Sequence, residues 1–524
     1  IYSDGAGSGG AMVDAFQDLS IPDLFIDDDL TFTSDSAVIT FGADGDTTLT
    51  HTDGSGLTLN STNKLMFNDA SQFIQGSSAT VLSLGATDEI DLTATAMDFN
   101  GTVTISGDTT LEDGADLITA SAGTDNVRIG STAGDSITSG GNFNTLVGTN
   151  AGTAITTGDS NVALGRNALD AEVAGSLSVA IGVGTLTAQT NSTATDVYNV
   201  AVGHAAGNAV TTGLRNVFVG GLTGDATTDA DDNVAMGYNA LGANTVGSRS
   251  VSIGAGSLEN QNPATAANMY NVAVGYNSGN AVSTGIRNNF FGAESGEALT
   301  TGDDNIAIGY QTLTSETAGN RTVAIGNNAL DAQNSTTDTN MYNVAVGYAA
   351  GGSITTGIEN IFIGGLAGDA LTDADVNIAI GMSALSSDTK GSKSIAIGKG
   401  NLFAQNFTTA TDTHNIAIGT NAGLSVTTGL QNIFIGGLAG DAITDADFNV
   451  AVGYAALSAD TLGSNSTALG WSALAAQNYS TATLSYNTAV GFKAGLSVTT
   501  AVQNVLMGGL AGDAITDGHL NTAL

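Results

Sequence analysis

Cysteine is absent from the 524 residues, proline occurs twice, tryptophan once, and lysine and arginine together number 11. Without cysteine no disulfide holds the chain together, and the redox state of its compartment leaves no trace in the sequence. The 11 basic residues stand against 50 Asp and Glu, a formal net charge of −39, which excludes nucleic-acid binding through phosphates and keeps a long apolar particle from associating sideways. No run approaches the eighteen or so apolar residues of a membrane span, and no basic start leads into an apolar stretch. What is plentiful is glycine, 71 residues, beside a hydrophobic content of 42%. That content is too high for a flexible linker and comes mostly as short runs of Ala, Val, Ile and Leu, so the apolar runs read as strands and the glycines as turns.

From Asn126 onward one phrase recurs: Asn, Ser or Thr, then a small apolar triplet, then Gly, as in NVAVG at Asn199–Gly203 and again at Asn271–Gly275. From Asn199 its starts follow steps of 17, 17, 17 and 21, a super-repeat of 72 residues. Fixed periodicity of this size is the mark of a solenoid, because each unit is too small to bury its own apolar face and must stack on its neighbours. The unit is strand-like: Val200-Ala201-Val202 alternates, Gly203 breaks it, and Thr211-Thr212-Gly213 turns the chain. At ~4.8 Å per coil, about 22 coils make a rod of roughly 105 Å. The recurring Asn predicts a ladder of stacked amides, interrupted in every fourth coil by Ser250, Thr322, Ser394 and Ser466. Gly213, Gly285, Gly357 and Gly429 are expected to supply positive φ at the turn.

In a strand triplet the outer two side chains face one way and the middle one the other, and here both faces are apolar. One face lines the coil's own core and the other asks for a neighbouring chain. The middle position of the second coil is Phe218, Phe290, Phe362 and Phe434, which predicts layers of large residues at a chain–chain contact, with filling of each coil's own core as the alternative. Ahead of the solenoid, residues 1–26 read as a Gly/Ser/Ala-rich connector to other appendage proteins, and 27–125 as a β-rich shaft of short alternating strands. The solenoid itself covers 126–524 and stops three residues into a coil, so a truncated C-terminus is expected.

Chemistry is sparse. A G-x-G-x-x-G match at Gly5, Gly7 and Gly10 follows no strand, which sets dinucleotide binding aside. His51, His204, His414 and His519 are dispersed, and no nucleophile, base and acid come together, so no catalytic site is expected. The second coil carries an acidic turn, Asp225, Asp229 and Asp231, recurring as Asp369, Asp373, Asp375 and as Asp441, Asp445, Asp447. Calcium is the natural guess for clustered carboxylates, but a solvated acidic turn is the preferred reading, and no metal or cofactor is expected. The fourth coil inserts about four residues, with Gln261, Gln333, Gln405 and Gln477 at one place and Phe407, Tyr479 and Pro263 beside it. These amide and aromatic groups suit a loop that touches glycans or host proteins; a structural corner capped by Gln is the preferred alternative.

The phrases SVAIG at Ser178–Gly182, TVAIG at Thr322–Gly326 and SIAIG at Ser394–Gly398 resemble the head repeats of trimeric autotransporter adhesins. NTAVG at Asn487–Gly491 and NVALG at Asn161–Gly165, with the shaft-like residues 27–115, resemble bacteriophage tail fibres more closely. The resemblance implies a homotrimeric, all-β parallel β-roll on a virion, working as a rigid spacer for host recognition, or else an adhesin head on a bacterial surface. It also implies a tip or cleavable chaperone beyond Leu524.

Overall fold

The computed structural model describes residues 122–524 without a break and, before them, Ser106 and parts of 25–90. Two compact units divide the chain, Ile1–Thr110 and Leu111–Leu524. Among the described residues every regular element is a strand. In the first unit Val38–Phe41, Thr47–Thr52 and Gly56–Leu59 form one antiparallel sheet, and Lys64–Met66, Phe73–Ser78 and Val81–Gly85 another. Gly5, Gly7, Gly10 and all of the proposed connector except Phe25 and Ile26 lie outside the described residues.

The second unit is a parallel β-solenoid. Its triplets form one sheet of 23 strands, each paired in register with the triplet of the next coil. Val200 lies opposite Val217, Ala201 opposite Phe218 and Val202 opposite Val219, and the same alignment recurs coil after coil. The pairing never closes on itself: Val127–Ile129 pairs only with Thr145–Val147, and Thr522–Ala523 only with Val505–Met507. Every fourth coil adds a second, two-residue pairing, as in Gly319–Asn320 with Thr339–Asn340, which absorbs its additional residues.

Glycine after the triplet is obligatory. At Gly203 φ is +138°, and a Cβ would stand 2.3 Å from the carbonyl oxygen of Gly220 in the next coil. Neither the conformation nor the stacking distance leaves room for a side chain. The turn glycines behave differently from expectation, because Gly213, Gly285, Gly357 and Gly429 do not have positive φ. Close approach selects them instead: a Cβ on Gly213 would sit 2.4 Å from the carbonyl oxygen of Ala230.

The core is a column of matched volumes. Eight residues after the ladder Asn the backbone is left-handed throughout, whether the residue is Gly207 or Gly224, or Leu241 or Leu258. Leucine occurs where the neighbouring middle positions are small, as with Ala235 and Ser252. Glycine occurs beside phenylalanine, since a Cβ on Gly224 would lie 2.5 Å from the Phe218 ring and one on Gly207 would lie 2.9 Å from it. The ring therefore fills the space of two missing side chains, at the close packing that protein interiors demand.

Candidate functional site

The four phenylalanines are not at a chain–chain contact. Phe218, Phe290, Phe362 and Phe434 are fully enclosed in the core of their own chain. What faces outward is the other side of the sheet, where the outer triplet positions stay half-exposed along its length: Ile308, Ile363, Ile418 and Ile435 are each 36–39% exposed. Two columns over 23 strands, mostly Val, Ile, Leu and Met with Phe291 and interrupted by Thr145, Asn289, Thr467, Thr488 and Thr522, make a strip roughly 105 Å by 7 Å, on the order of 700 Å². That exceeds the apolar patches usual on a monomer's surface.

The Asn ladder works chiefly through the backbone, with direct amide-to-amide bonds added at some steps, as from Asn504 Nδ2 to Asn487 Oδ1 at 3.2 Å and from Asn216 Nδ2 to Asn199 Oδ1 at 3.4 Å. Asn199 is buried; its Oδ1 accepts the backbone N–H of Asn216 at 2.8 Å, and its Nδ2 donates to the carbonyl of Gly213 at 2.7 Å. Each buried polar group is thus satisfied from two coils at once, as burial requires. In the fourth coil the ladder is relayed rather than broken. Gln333 Nε2 donates to Thr322 Oγ1 at 3.0 Å, and Gln333 Oε1 accepts from Asn343 Nδ2 at 2.8 Å.

Gln261, Gln333, Gln405 and Gln477 are fully buried, and Phe407 and Tyr479 nearly so. The corner reading therefore holds for these six side chains, and they form no contact surface. Tyr479 turns its hydroxyl inward onto the carbonyl of Ala501. Sequence reasoning missed the partner that fixes this corner, a buried acid in the preceding coil: Glu172, Glu316, Asp388 or Asp460. Glu316 accepts from Gln333 Nε2 at 2.7 Å and from the backbone N–H groups of Gly319 and Ser335 at 2.7 and 2.9 Å. A fully enclosed carboxylate is tolerated only with such a set of donors. The signal was in the sequence as a covariation: where Pro263 supplies no N–H, the acid is replaced by neutral Asn244. Burial pushes the Asp460 carboxyl above its ordinary pKa, against the donors from Gln477, Gly463, Tyr479 and Leu462.

The acidic turns divide among separate tasks. Asp231, Asp375 and Asp447 each accept a backbone N–H from the coil before, at 2.8, 2.9 and 2.7 Å. His519 keeps the task where Asp is lost, its Nδ1 accepting from Val502 N–H at 3.0 Å. Asp373 lies 3.7 Å from the Lys390 amino group, and Asp445 is bonded to the Thr428 hydroxyl. Asp369 and Asp441 are partly buried, which raises their pKa values, and one oxygen of each is enclosed without a hydrogen-bond partner. Among the described residues no three acid or histidine side chains come together as a metal would require.

The residue before each ladder position is left-handed, and these residues form a column of exposed Arg and Tyr with half-buried Asp: Arg215, Asp232, Arg249, Tyr270, then Arg287, Asp304, Arg321, Tyr342. Arg287 donates to Asp304, and Arg321 to the Tyr342 hydroxyl at 3.2 Å. His414 stands in this column at the place of the tyrosines. On the far side of the apolar strip Tyr454, Trp471 and Phe492 stack with centroids 6.3 and 5.3 Å apart.

Comparison of the sequence with protein-family models gives no match, and comparison with curated proteins gives none.

Proposed function

We propose that the chain is a non-catalytic spacer in a trimeric extracellular appendage, a bacteriophage tail fibre, built from 72-residue units of four coils. The observation that carries this reading is the half-exposed apolar strip of the sheet, which a single chain leaves uncovered. Two further copies in register cover it with the same columns, and the resemblance of the NTAVG and NVALG phrases to tail-fibre coils supplies the number three. Stiffness follows from a core in which every coil hydrogen-bonds to the next through triplet and Asn ladder. The net charge of −39 per chain keeps assembled rods apart. A bacterial surface adhesin head is the second reading, and it places the binding surface on the solenoid's own flank.

Native mass measurement tests the assembly: three chains of 51.9 kDa are expected. Replacing Ile363 and Ile435 in the strip by Glu is expected to yield folded monomers with unchanged β-sheet circular dichroism. A wild-type chain that is monomeric and fully folded at micromolar concentration overturns the proposal.

A further inference from the structure

One cleft on the solenoid departs from the repeat around it. A cavity of about 350 Å³, at the lower end of the range for small-molecule sites, is walled by Arg287, Asp303, Asp304 and Arg321 and by Asp338 and Asn340 of the longer coil. Asn320 completes its lining. Seventy-two residues earlier the chain has Arg215, Asp231, Asp232, Arg249 and Asn268 at the same places, but Ser248 and Ala266 where Asn320 and Asp338 stand. Ser and Ala also hold these two places at Ser176 and Ala194, Ser392 and Ala410, and Ser464 and Ala482.

Stacking asks only one bond of that serine. Ser248 Oγ accepts the Asp231 N–H at 2.9 Å, and Ser392 Oγ accepts that of Asp375 at 3.0 Å. Asn320 makes the same bond through Oδ1 at 2.7 Å and has Nδ2 left over, which holds Asp338 by one carboxylate oxygen. The Asn320–Asp338 pair is therefore more than the coil needs, and it adds a carboxylate to the cleft.

The cleft mixes donors with acceptors. Arg287 is committed to Asp304, and Arg321 lies 4.0 Å from the same carboxylate, but among the described residues only one of its five donors has a hydrogen-bond acceptor, the Tyr342 hydroxyl. Asp338 keeps its second oxygen, and the Asn340 amide has no hydrogen-bond partner among the described residues. Three carboxylates disfavour an anion and two guanidinium groups disfavour a simple cation. Vicinal hydroxyl groups, each able to donate and accept, match this arrangement. We propose that the cleft formed around Asn320 and Asp338 binds a neutral saccharide through its vicinal hydroxyls.

All the residues that line the cleft come from one chain. The full chain is applied to an array of neutral glucose-, galactose- and mannose-terminated glycans beside sialylated and sulfated ones, and responders are titrated by calorimetry. Neutral glycans are expected to bind at one site per chain. The double reversion Asn320→Ser with Asp338→Ala, which restores the pair found in the other coils, is expected to weaken binding about tenfold or more through lost hydrogen bonds to charged groups. The reciprocal graft, Ser248→Asn with Ala266→Asp, is expected to raise the stoichiometry to two. The proposal is overturned if no neutral glycan binds, if only anionic glycans bind, or if the reversion leaves binding intact. A reversion that lowers the melting temperature of a chain binding no glycan identifies the pair as structural and likewise overturns it.

Discussion

At the scale of single residues the solenoid is a set of pairwise bargains over space and protons. Phe362 lies between Gly351 and Gly368, where a Cβ would stand 2.6 and 2.5 Å from its ring. Phe362→Ala should destabilise its coils by about 3–5 kcal/mol, the usual cost of emptying such a site. Gly368→Ala should also destabilise, by about 1–3 kcal/mol through overpacking. Adding Phe362→Leu should recover little of that loss, because beside Leu506 a Cβ on Gly495 or Gly512 would still stand 2.7 Å from the leucine side chain. Chemical denaturation of the three variants checks the order; full recovery in Gly368→Ala with Phe362→Leu would refute the volume argument.

The buried acid and its donors can be exchanged in the same spirit. Asn244→Asp alone should loosen the corner over 244–268 by about 1–3 kcal/mol, because Pro263 has no N–H to offer the new charge. Asn244→Asp with Pro263→Ser should restore protection from hydrogen exchange to the level of the parent. Asp460 adds a pH dependence whose sign is set by burial. Its folded pKa is raised above the unfolded value near 3.9, so the folded state takes up a proton first. Stability at this corner therefore increases as pH falls from neutrality through the raised folded value, and is smaller above it. Hydrogen exchange over 460–479, corrected for intrinsic rates, should slow on acidification, and faster opening would contradict the assignment. The half-exposed Asp232 and Asp304 have lowered pKa values through Arg215 and Arg287, and they shift stability the opposite way. Their contribution is small because solvent screens such pairs.

At the scale of the element, one coil is a strand triplet, a glycine that permits contact with the next coil, and a buried side chain that ties both together. The in-register pairing of Val200–Val202 with Val217–Val219 means that a whole coil is the smallest removable piece. Deleting Asn271 to Tyr342 joins Tyr270 to Asn343 and keeps ladder, phenylalanine layer and long corner in phase. The sheet should shorten by four coils, about 19 Å at ~4.8 Å each, with its melting little changed. Deleting only Asn271 to Gly279 sets turn residues against strand residues and should expose apolar surface. Electron microscopy and thermal melting of both variants compare them directly; equal misfolding would refute the stacked-coil unit.

For the molecule as a whole, the two faces of one sheet carry different fates. The inner face is closed by Phe, Leu, Ile, Val and Ala of the same chain, so folding of the solenoid needs no partner to fill its core. The outer face remains half-exposed, and it is here that association between copies is proposed. Because Val and Ile dominate that strip, its apolar contacts alone specify axial register weakly. Variation along the flanking column, from Arg215, Asp232 and Arg249 to Gln431, Phe448 and Asn465, distinguishes one height from another.

Periodicity was sufficient to determine the class of fold. A 17-residue unit of Asn, apolar triplet and Gly has no way to bury its apolar residues except by stacking, so strand, coil and parallel order follow from the sequence alone. The sequence also singled out the Gln column, since one amide held at a fixed place among varying neighbours reads as a corner. Which side of the triplet the phenylalanines face was beyond it. Alternation places Phe218 opposite Val217 and Val219 but does not say which side is enclosed, and only the glycines of its own and the preceding coil, Gly224 and Gly207, make room for the ring. The buried acids were hidden for a similar reason: Glu316 and Ser335 are 19 residues apart and meet only when one coil lies on the next. Tertiary structure decided these matters because both depend on contact between coils, where volume and hydrogen bonding are settled by residues distant in the chain.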